Sequence, residues 1–473
     1  MVKKEDFKRH ATTIVDWIDT YFRDVENYSV RSACHFGDVL ENIPEGPPAS
    51  GEGMDAVFDD FKNIILPGIT HWQSPGYSAY FPANSSIPSV LAEFLTAALG
   101  VQGMKWITSP AATELEQRMM EWLRQMLDLP ADFKGVIQDT ASVSNLCALI
   151  AAREHATQFE SNRTGMFGKI LRVYCSTEAH SSIDKAIRIA GFGLDNLVKI
   201  EVNAHCEMIS SKLEEAIQDD IAAGYVPACI VGALGTTGTC AFDPLEELGA
   251  VAQKYNCWFH IDAAFAGSAL VLSEFREKHT GIRLADSFVF NPHKWMFTNF
   301  DCSAFYVKNP SHLQRTFTLV PGYLQTDAVD EVNDYSNWSI QLGRRFRALK
   351  LWFVIRDFGV EGIRQKFRQH IEWSAYFENW VKHHPDFELI VPRNLTVTCF
   401  RYADRTKNTD ELNQINRLLL ERINDSGKLF ISHTFVQGKY SLRFVCAQTN
   451  TEKKHVTQAI AIIEECTKNL SGQ

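Results

Sequence analysis

The chain has 473 residues, 45% hydrophobic and 22% charged, the make-up of a globular protein whose core is large enough to need no disulfides. Its formal net charge of −10 excludes a general affinity for nucleic acid or acidic membranes, though not for a small anion held by local dipoles. The 11 cysteines show neither Cys-x-x-Cys nor zinc-finger spacing; with a charged start (MVKKEDFKRH) and no bilayer-length apolar run, the expectation is a cytoplasmic protein with free thiols.

Residues 1 to about 75 read as helical. Ile14, Val15, Ile18, Tyr21 and Phe22 fall on one helical face, and a second apolar cluster runs through Val57, Phe58, Phe61, Ile64 and Ile65. Neither has a core of its own, so both need a partner surface. From about 135 to 310 strands alternate with helices. Strands are expected at Leu171–Cys175, Leu197–Val202, Ala228–Ala233, Trp258–Ile261 and Ser287–Phe290. Helices are expected near Ser182–Ala190, Ser211–Ile221 and Pro244–Lys254. That alternation predicts an α/β fold with a mostly parallel sheet, whose ligands sit at the carboxyl ends of the strands. Residues 318–343 read as a long polar, acidic loop. A helix through Leu349–Val354 follows, then an α+β tail: strands Phe387–Val391 and Val397–Phe400, helix Leu412–Ile423, a hairpin turning near Gly438, and helix Val456–Cys466.

Three segments carry chemistry. In Ser287–Trp295 (SFVFNPHKW) an apolar strand runs straight into His293 and Lys294. Desolvation lowers the pKa of such a lysine and leaves neutral amine able to form a Schiff base, although the strand context reads equally as a lysine snorkelling to solvent. In Trp258–Gly267 (WFHIDAAFAG) Asp262 ends another strand, before small residues. A buried carboxylate needs a cationic partner, such as a pyridinium nitrogen, unless it is simply a helix N-cap. Thr140, Ala141 and Ser142 open a helix over Val143–Glu154, where free N–H groups and hydroxyls suit a phosphate; the Gly235–Thr239 turn is a weaker signal of the same kind. Gly191-Phe192-Gly193 lacks the third glycine of a dinucleotide site. His180, just past a strand, could stack on a planar ring or move protons near neutral pH, or be structural.

The segment Asn291–Trp295 (NPHKW) resembles the cofactor-lysine motif of the group II pyridoxal phosphate (PLP) dependent amino acid decarboxylases. The likeness continues in order through His71–Pro75 (HWQSP), Tyr80–Pro82 (YFP), Ser109–Glu116 (SPAATELE), Asp262–Ala264 (DAA) and Leu342–Arg347 (LGRRFR), and is nearest the decarboxylases of aromatic L-amino acids. It implies the fold of the aspartate aminotransferase-like PLP enzymes, fold type I. The implied division is a helical N-terminal segment, 1–85, packing on a partner subunit, a large PLP-binding domain, 86–360, and a small α+β domain, 361–473. Lys294 would carry the cofactor and Asp262 would hold its ring nitrogen. His180 would stack on one ring face and Ala264 would press the other. Thr140, Ala141, Ser142 and Asn291 would hold the phosphate, with Thr237 near the cofactor and His293 beside the lysine. Tyr323, in Pro321–Leu324 (PGYL), matches a loop tyrosine that would protonate the substrate Cα in the partner's site, so a homodimer is implied; Tyr335 is a rival on residue chemistry alone. Trp72, Tyr80, Phe81, Pro82, Met104, Leu342 and Gly343 would form an apolar substrate pocket, shared with the second subunit, although any single aromatic is more commonly core.

The activity so implied is decarboxylation of an aromatic L-amino acid to its arylalkylamine and CO2. Competing outcomes are an aromatic acetaldehyde synthase, a histidine or glutamate decarboxylase, and an inactive scaffold of the same fold. The aldehyde-forming switch accompanies loss of the loop tyrosine or the stacking histidine, and Tyr323 and His180 are both present. Asp139 stands beside the expected phosphate site, where an anion is unfavourable unless its side chain turns away. Met104 and Gln102 stand where relatives usually carry other residues.

Overall fold

A computed structural model of the chain describes residues 4–166, 168–277, 280–319 and 332–468. The large sheet comprises β1 (Lys134–Gln138), β2 (Leu171–Ser176), β3 (Leu197–Ile200), β4 (Val226–Ala233), β5 (Trp258–Asp262), β6 (Ser287–Phe290) and β7 (Ser303–Val307). Their order is β1-β7-β6-β5-β4-β2-β3. The pairs β6–β5, β5–β4, β4–β2 and β2–β3 are parallel, whereas β7 runs antiparallel to both β1 and β6. Helices joining the parallel strands cover both faces, so the strand residues are buried nearly throughout. Period-two alternation sorts them into two cores: Ile230, Phe259, Ile261, Phe288 and Phe290 face one, and Cys229, Val231, Trp258 and Val289 face the other. This brings the carboxyl ends of β4, β5 and β6 side by side, with Ala233 level with Asp262 and Asp262 level with Val289.

A four-stranded antiparallel sheet forms the C-terminal unit, in the order β10-β11-β9-β8, from β8 (Phe387–Leu389), β9 (Val397–Tyr402), β10 (Ser432–Val436) and β11 (Lys439–Val445). Its own core includes Phe377, Phe400, Leu419, Phe444 and Ile463. The expected hairpin turns at Gln437 and Gly438, both at positive φ (51° and 80°), as a two-residue turn matched to strand twist requires.

The expected βαβ elements form to within a few residues, but β1, β7 and the helices Ile87–Leu99 and Pro110–Leu127 were not anticipated. The expected boundary at 360/361 lies beside a break at Gly359 (φ 66°, ψ 162°) in the long helix Arg347–His383. Part of the 1–85 segment packs on its own chain: Ser78 N–H donates to Phe430 O (2.9 Å) and Ser78 O accepts from Val445 N–H (3.0 Å). Helix Phe7–Asp24 has no buried residue, and its Trp17 meets Phe58 and Phe61 edge-on. Tyr335–Trp338 in the expected loop is a 3-10 turn, held in place because Tyr335 and Trp338 bury their rings in the core.

Candidate active site

The strand ends and the first turn of helix Ala141–Ala156 enclose a cavity of about 240 Å³. Its walls include Thr140, Ala141, Ser142, His180, Thr237, Asp262, Ala264, Asn291, His293 and Lys294. All ten residues expected at a cofactor therefore meet in one place. β5 delivers Asp262 at its last position, and β6 runs into Asn291, the N-cap of the short helix Pro292–Trp295 that presents Lys294.

Lys294 Nζ lies 5.2 Å from the centre of the Phe81 ring, the first of a column of stacked rings leading through Phe265 and Trp295 to Phe367. Burial pushes the Lys294 ammonium down to about 8, Asp262 opposing and Arg443 assisting. The lysine backbone is fixed by Asn84, whose amide donates to Lys294 O (2.5 Å) and Ala447 O (2.8 Å). Asp262 accepts from Asn145 Nδ2 (2.9 Å) on one oxygen and from its neighbour Ala264 N–H (3.1 Å) on the other. His180 Nδ1 accepts from Ser182 N–H (3.1 Å), and desolvation lowers its pKa. His293 is pushed down to about 3, chiefly by burial and then by Lys294; its Nδ1 accepts from Cys302 N–H (2.9 Å).

The cavity fits a phosphorylated pyridine. Thr140 has extended backbone at the head of the sixteen-residue helix Ala141–Ala156, and no side chain caps that helix, leaving its first N–H groups open to an anion. Asn291 Oδ1 is buried without a hydrogen-bond partner among the described residues; because an amide oxygen only accepts, it is the Asn291 Nδ2 that would have to face a phosphate. Asp139 does not line the cavity; its carboxylate accepts from Thr140 N–H (2.5 Å) and Thr140 Oγ1 (3.3 Å). The Gly235 turn could take no side chain, since its φ is +96° and a Cβ would lie 2.7 Å from Ala266 Cβ.

The expected substrate pocket is not assembled within one chain. Phe81 lines the cavity, but Trp72, Tyr80, Pro82, Met104, Leu342 and Gly343 do not. Trp72 stacks on Tyr77 instead (4.4 Å), and Trp72, Tyr80 and Leu342 are 37%, 56% and 45% exposed. Tyr335 is buried beside Trp338, with the Arg344 guanidinium 5.0 Å from its ring centre, and does not line the cavity. Tyr323 lies outside the described residues.

Sequence reading missed Asn84, Asn145, Ser182, His260, Phe265, Phe300 and Arg443. Phe265 and Phe300 complete the cavity wall. Arg443 is buried, donates to Gly238 O (2.9 Å) and Tyr80 O (2.5 Å), and covers the Phe81 ring at 4.6 Å. Signals existed for two of them. His260 and Asp262 are two apart on one strand and so share a face, and Asn145 is an amide amid the apolar run of its helix.

Residues 37–403 match the family described as the pyridoxal-dependent decarboxylase conserved domain. Tyrosine decarboxylase 4 of Petroselinum crispum is 40% identical over 478 residues, covering 98% of this chain and 94% of that protein. A phenylacetaldehyde synthase of Arabidopsis thaliana is also 40% identical, over 98% of this chain and 96% of its own length. Among solved structures, Oryza sativa TDC with PLP and tryptamine superimposes with a TM-score of 0.96 at 34% identity, covering 99% of both chains.

Proposed function

The chain belongs to the pyridoxal-dependent decarboxylase family, and on that premise we propose how its residues divide the work on an aromatic L-amino acid. It is a PLP-dependent carboxy-lyase of aromatic amino acids with the fold of the type I PLP enzymes. The observation that carries the division of labour is the meeting of Lys294, Asp262 and His180 in one cavity with an uncapped helix N-terminus.

When bound, PLP supplies the electron sink for the pair left on Cα as the carboxylate departs. The N–H groups of Ala141 and Ser142, the Ser142 hydroxyl and the Asn291 amide would hold its phosphate, and Asp262 its ring nitrogen. With its ammonium lowered to about 8, Lys294 keeps roughly a tenth of its side chain as free amine near pH 7, enough to attack a carbonyl. His180 and Ala264, both on the cavity wall, would lie against the two faces of the planar ring. Phe81, Phe265 and Phe300 exclude water from that cavity, which favours loss of the uncharged CO2. Tyr323 is assigned the proton returned to Cα, giving the amine.

A second copy of the chain completes the substrate pocket. Exposed Trp72, Tyr80 and Leu342 support this, together with the uncovered stripe Ile87, Leu91, Leu95 and Leu99 at helical spacing on one helix. The 11 free cysteines support a reducing, cytoplasmic setting, and no helix among the described residues is long and apolar enough to cross a membrane. Replacement of Lys294 by Ala tests the assignment: turnover and the PLP-dependent visible absorbance should both disappear. Multiple turnovers by that variant would remove Lys294 from its role. Decarboxylation with oxidative deamination to the aldehyde, in which O2 is reduced to peroxide and ammonia is released, is the second reading, favoured by the 40% identity to a phenylacetaldehyde synthase. Peroxide and aldehyde in the product mixture, in place of amine, would establish it.

A further inference from the structure

Behind Asp262 lies a hydrogen-bonded chain of side chains that meets the cavity only at its ends, Asp262 and His180. Asn145 is fully buried; its Nδ2 is 2.9 Å from Asp262 Oδ2 and 2.9 Å from Ser182 Oγ, and its Oδ1 is 2.9 Å from His260 Nε2. The Nδ1 of His260 is 2.8 Å from Ser287 Oγ, which in turn accepts from Trp258 Nε1 (2.8 Å). Ser182 Oγ is 2.8 Å from His180 Nδ1.

One assumption orients the whole set. A carboxylate only accepts, so Asn145 must turn its amide nitrogen to Asp262 and its oxygen to His260. His260 then has to donate from Nε2, which leaves Nδ1 as an acceptor for the Ser287 hydroxyl. Ser287 satisfies this while accepting from the Trp258 indole, which can only donate. At the other end Ser182 Oγ accepts from Asn145 and is free to donate to His180 Nδ1, which already accepts from the Ser182 backbone. The proton of neutral His180 is thereby assigned to Nε2. With His260 neutral, each polar atom of Asn145 and His260 is satisfied in this arrangement and in no other that keeps Asp262 a carboxylate. The charged groups near His260 are few: Asp262 acts on it, and its surroundings otherwise are Phe305 and the apolar β5 and β6.

We propose that Asn145 and His260 are positioning residues, a buried relay that holds Asp262 as an oriented carboxylate and, through the same amide nitrogen, sets the tautomer of His180. The relay couples the group assigned to the ring nitrogen with the group assigned to the ring face. It rests on the reading of Asp262 and His180 as cofactor-facing.

Two measurements test it. In full-length holoenzyme labelled with ¹⁵N-histidine, long-range ¹H–¹⁵N spectra distinguish tautomers; the His260 signals among those of 15 histidines are the ones lost in His260→Gln. His260 should appear as the neutral Nε2–H form. An Nδ1–H form would overturn the relay, because it turns the Asn145 oxygen toward Asp262. The second measurement is PLP affinity with the pH titration of the visible band. Asn145→Leu should weaken PLP retention by about tenfold or more, the consequence of leaving buried partners unmatched, and should shift the titration. His260→Phe should behave alike, while His260→Gln, which keeps a donor, should restore near-parental behaviour. Parental affinity and titration in Asn145→Leu would overturn the relay alone, whereas no PLP uptake by the unaltered protein would overturn the cavity assignment with it. Should Asn145→Leu fail to fold, the tautomer decides.

Discussion

At Lys294 two influences oppose each other. Burial favours the neutral amine and Asp262 favours the ammonium, leaving the group at about 8 where an unperturbed lysine stands near 10.4. Cofactor capture by the empty chain needs the neutral form, so its rate should rise with pH and level off above about 8. In Asp262→Asn the opposing charge is gone, and the midpoint should move to lower pH. Stopped-flow absorbance at several pH values checks both; a rate flat from pH 6 to 9 would mean that the amine is not limiting. The proposed function assigns the amine outcome to the Tyr323 phenol, so Tyr323→Phe should divert product toward aldehyde and peroxide.

Among the elements, β5 carries most of the tuning. Burial pushes His260 down to about 4 in the folded chain, below an ordinary histidine near 6.5. The unfolded chain therefore binds the extra proton between those values, so this stability is complete above about 6.5 and is lost as pH falls toward 4. The slope is about 1.4 kcal/mol per pH unit, roughly 3 kcal/mol in all. Urea titrations over that range should show it, and His260→Gln should remove one proton's worth of the slope. At the end of β4, Gly235→Ala should destabilise the chain by about 2 kcal/mol or more and loosen PLP, since both its φ and the Ala266 contact forbid a Cβ. Parental stability would show that the turn relaxes freely.

How much of this was legible in the sequence follows from the same elements. Strands β2 to β6 announce themselves because parallel strands buried on both faces are apolar runs separated by amphipathic helices. β7 does not, because it follows β6 after a short connection and runs antiparallel, outside the βαβ rhythm. Asp262 and Lys294 are legible because one ends an apolar strand and the other follows one closely, whereas Asn291 is reached only through the family resemblance. Asn145 stands out only as an amide in an apolar run, and its role does not show because its partners Asp262 and His260 come 117 and 115 residues later. The same limit applied to Trp72 and Tyr80: a matched motif tells what a residue resembles but not which surface it faces.

On the scale of the whole molecule, a single chain offers a cavity for the cofactor, and six of the seven residues assigned to the substrate do not line it. The proposed second copy would cover the exposed stripe on helix Ile87–Leu99. Leu91→Glu with Leu95→Glu should yield monomers by sedimentation, with turnover lost while PLP binding largely survives. A monomer of full activity would place the entire substrate pocket in one chain.

The decisive assay gives the PLP-loaded protein tyrosine, DOPA, phenylalanine, tryptophan, 5-hydroxytryptophan, histidine and glutamate separately and quantifies CO2, amine, aldehyde and peroxide together. Amine equal to CO2 on one or more of the aromatic substrates, with none from histidine or glutamate, is the expected result. Aldehyde and peroxide in place of amine would overturn the assigned outcome at Cα, and CO2 released only from histidine or glutamate would overturn the aromatic assignment itself.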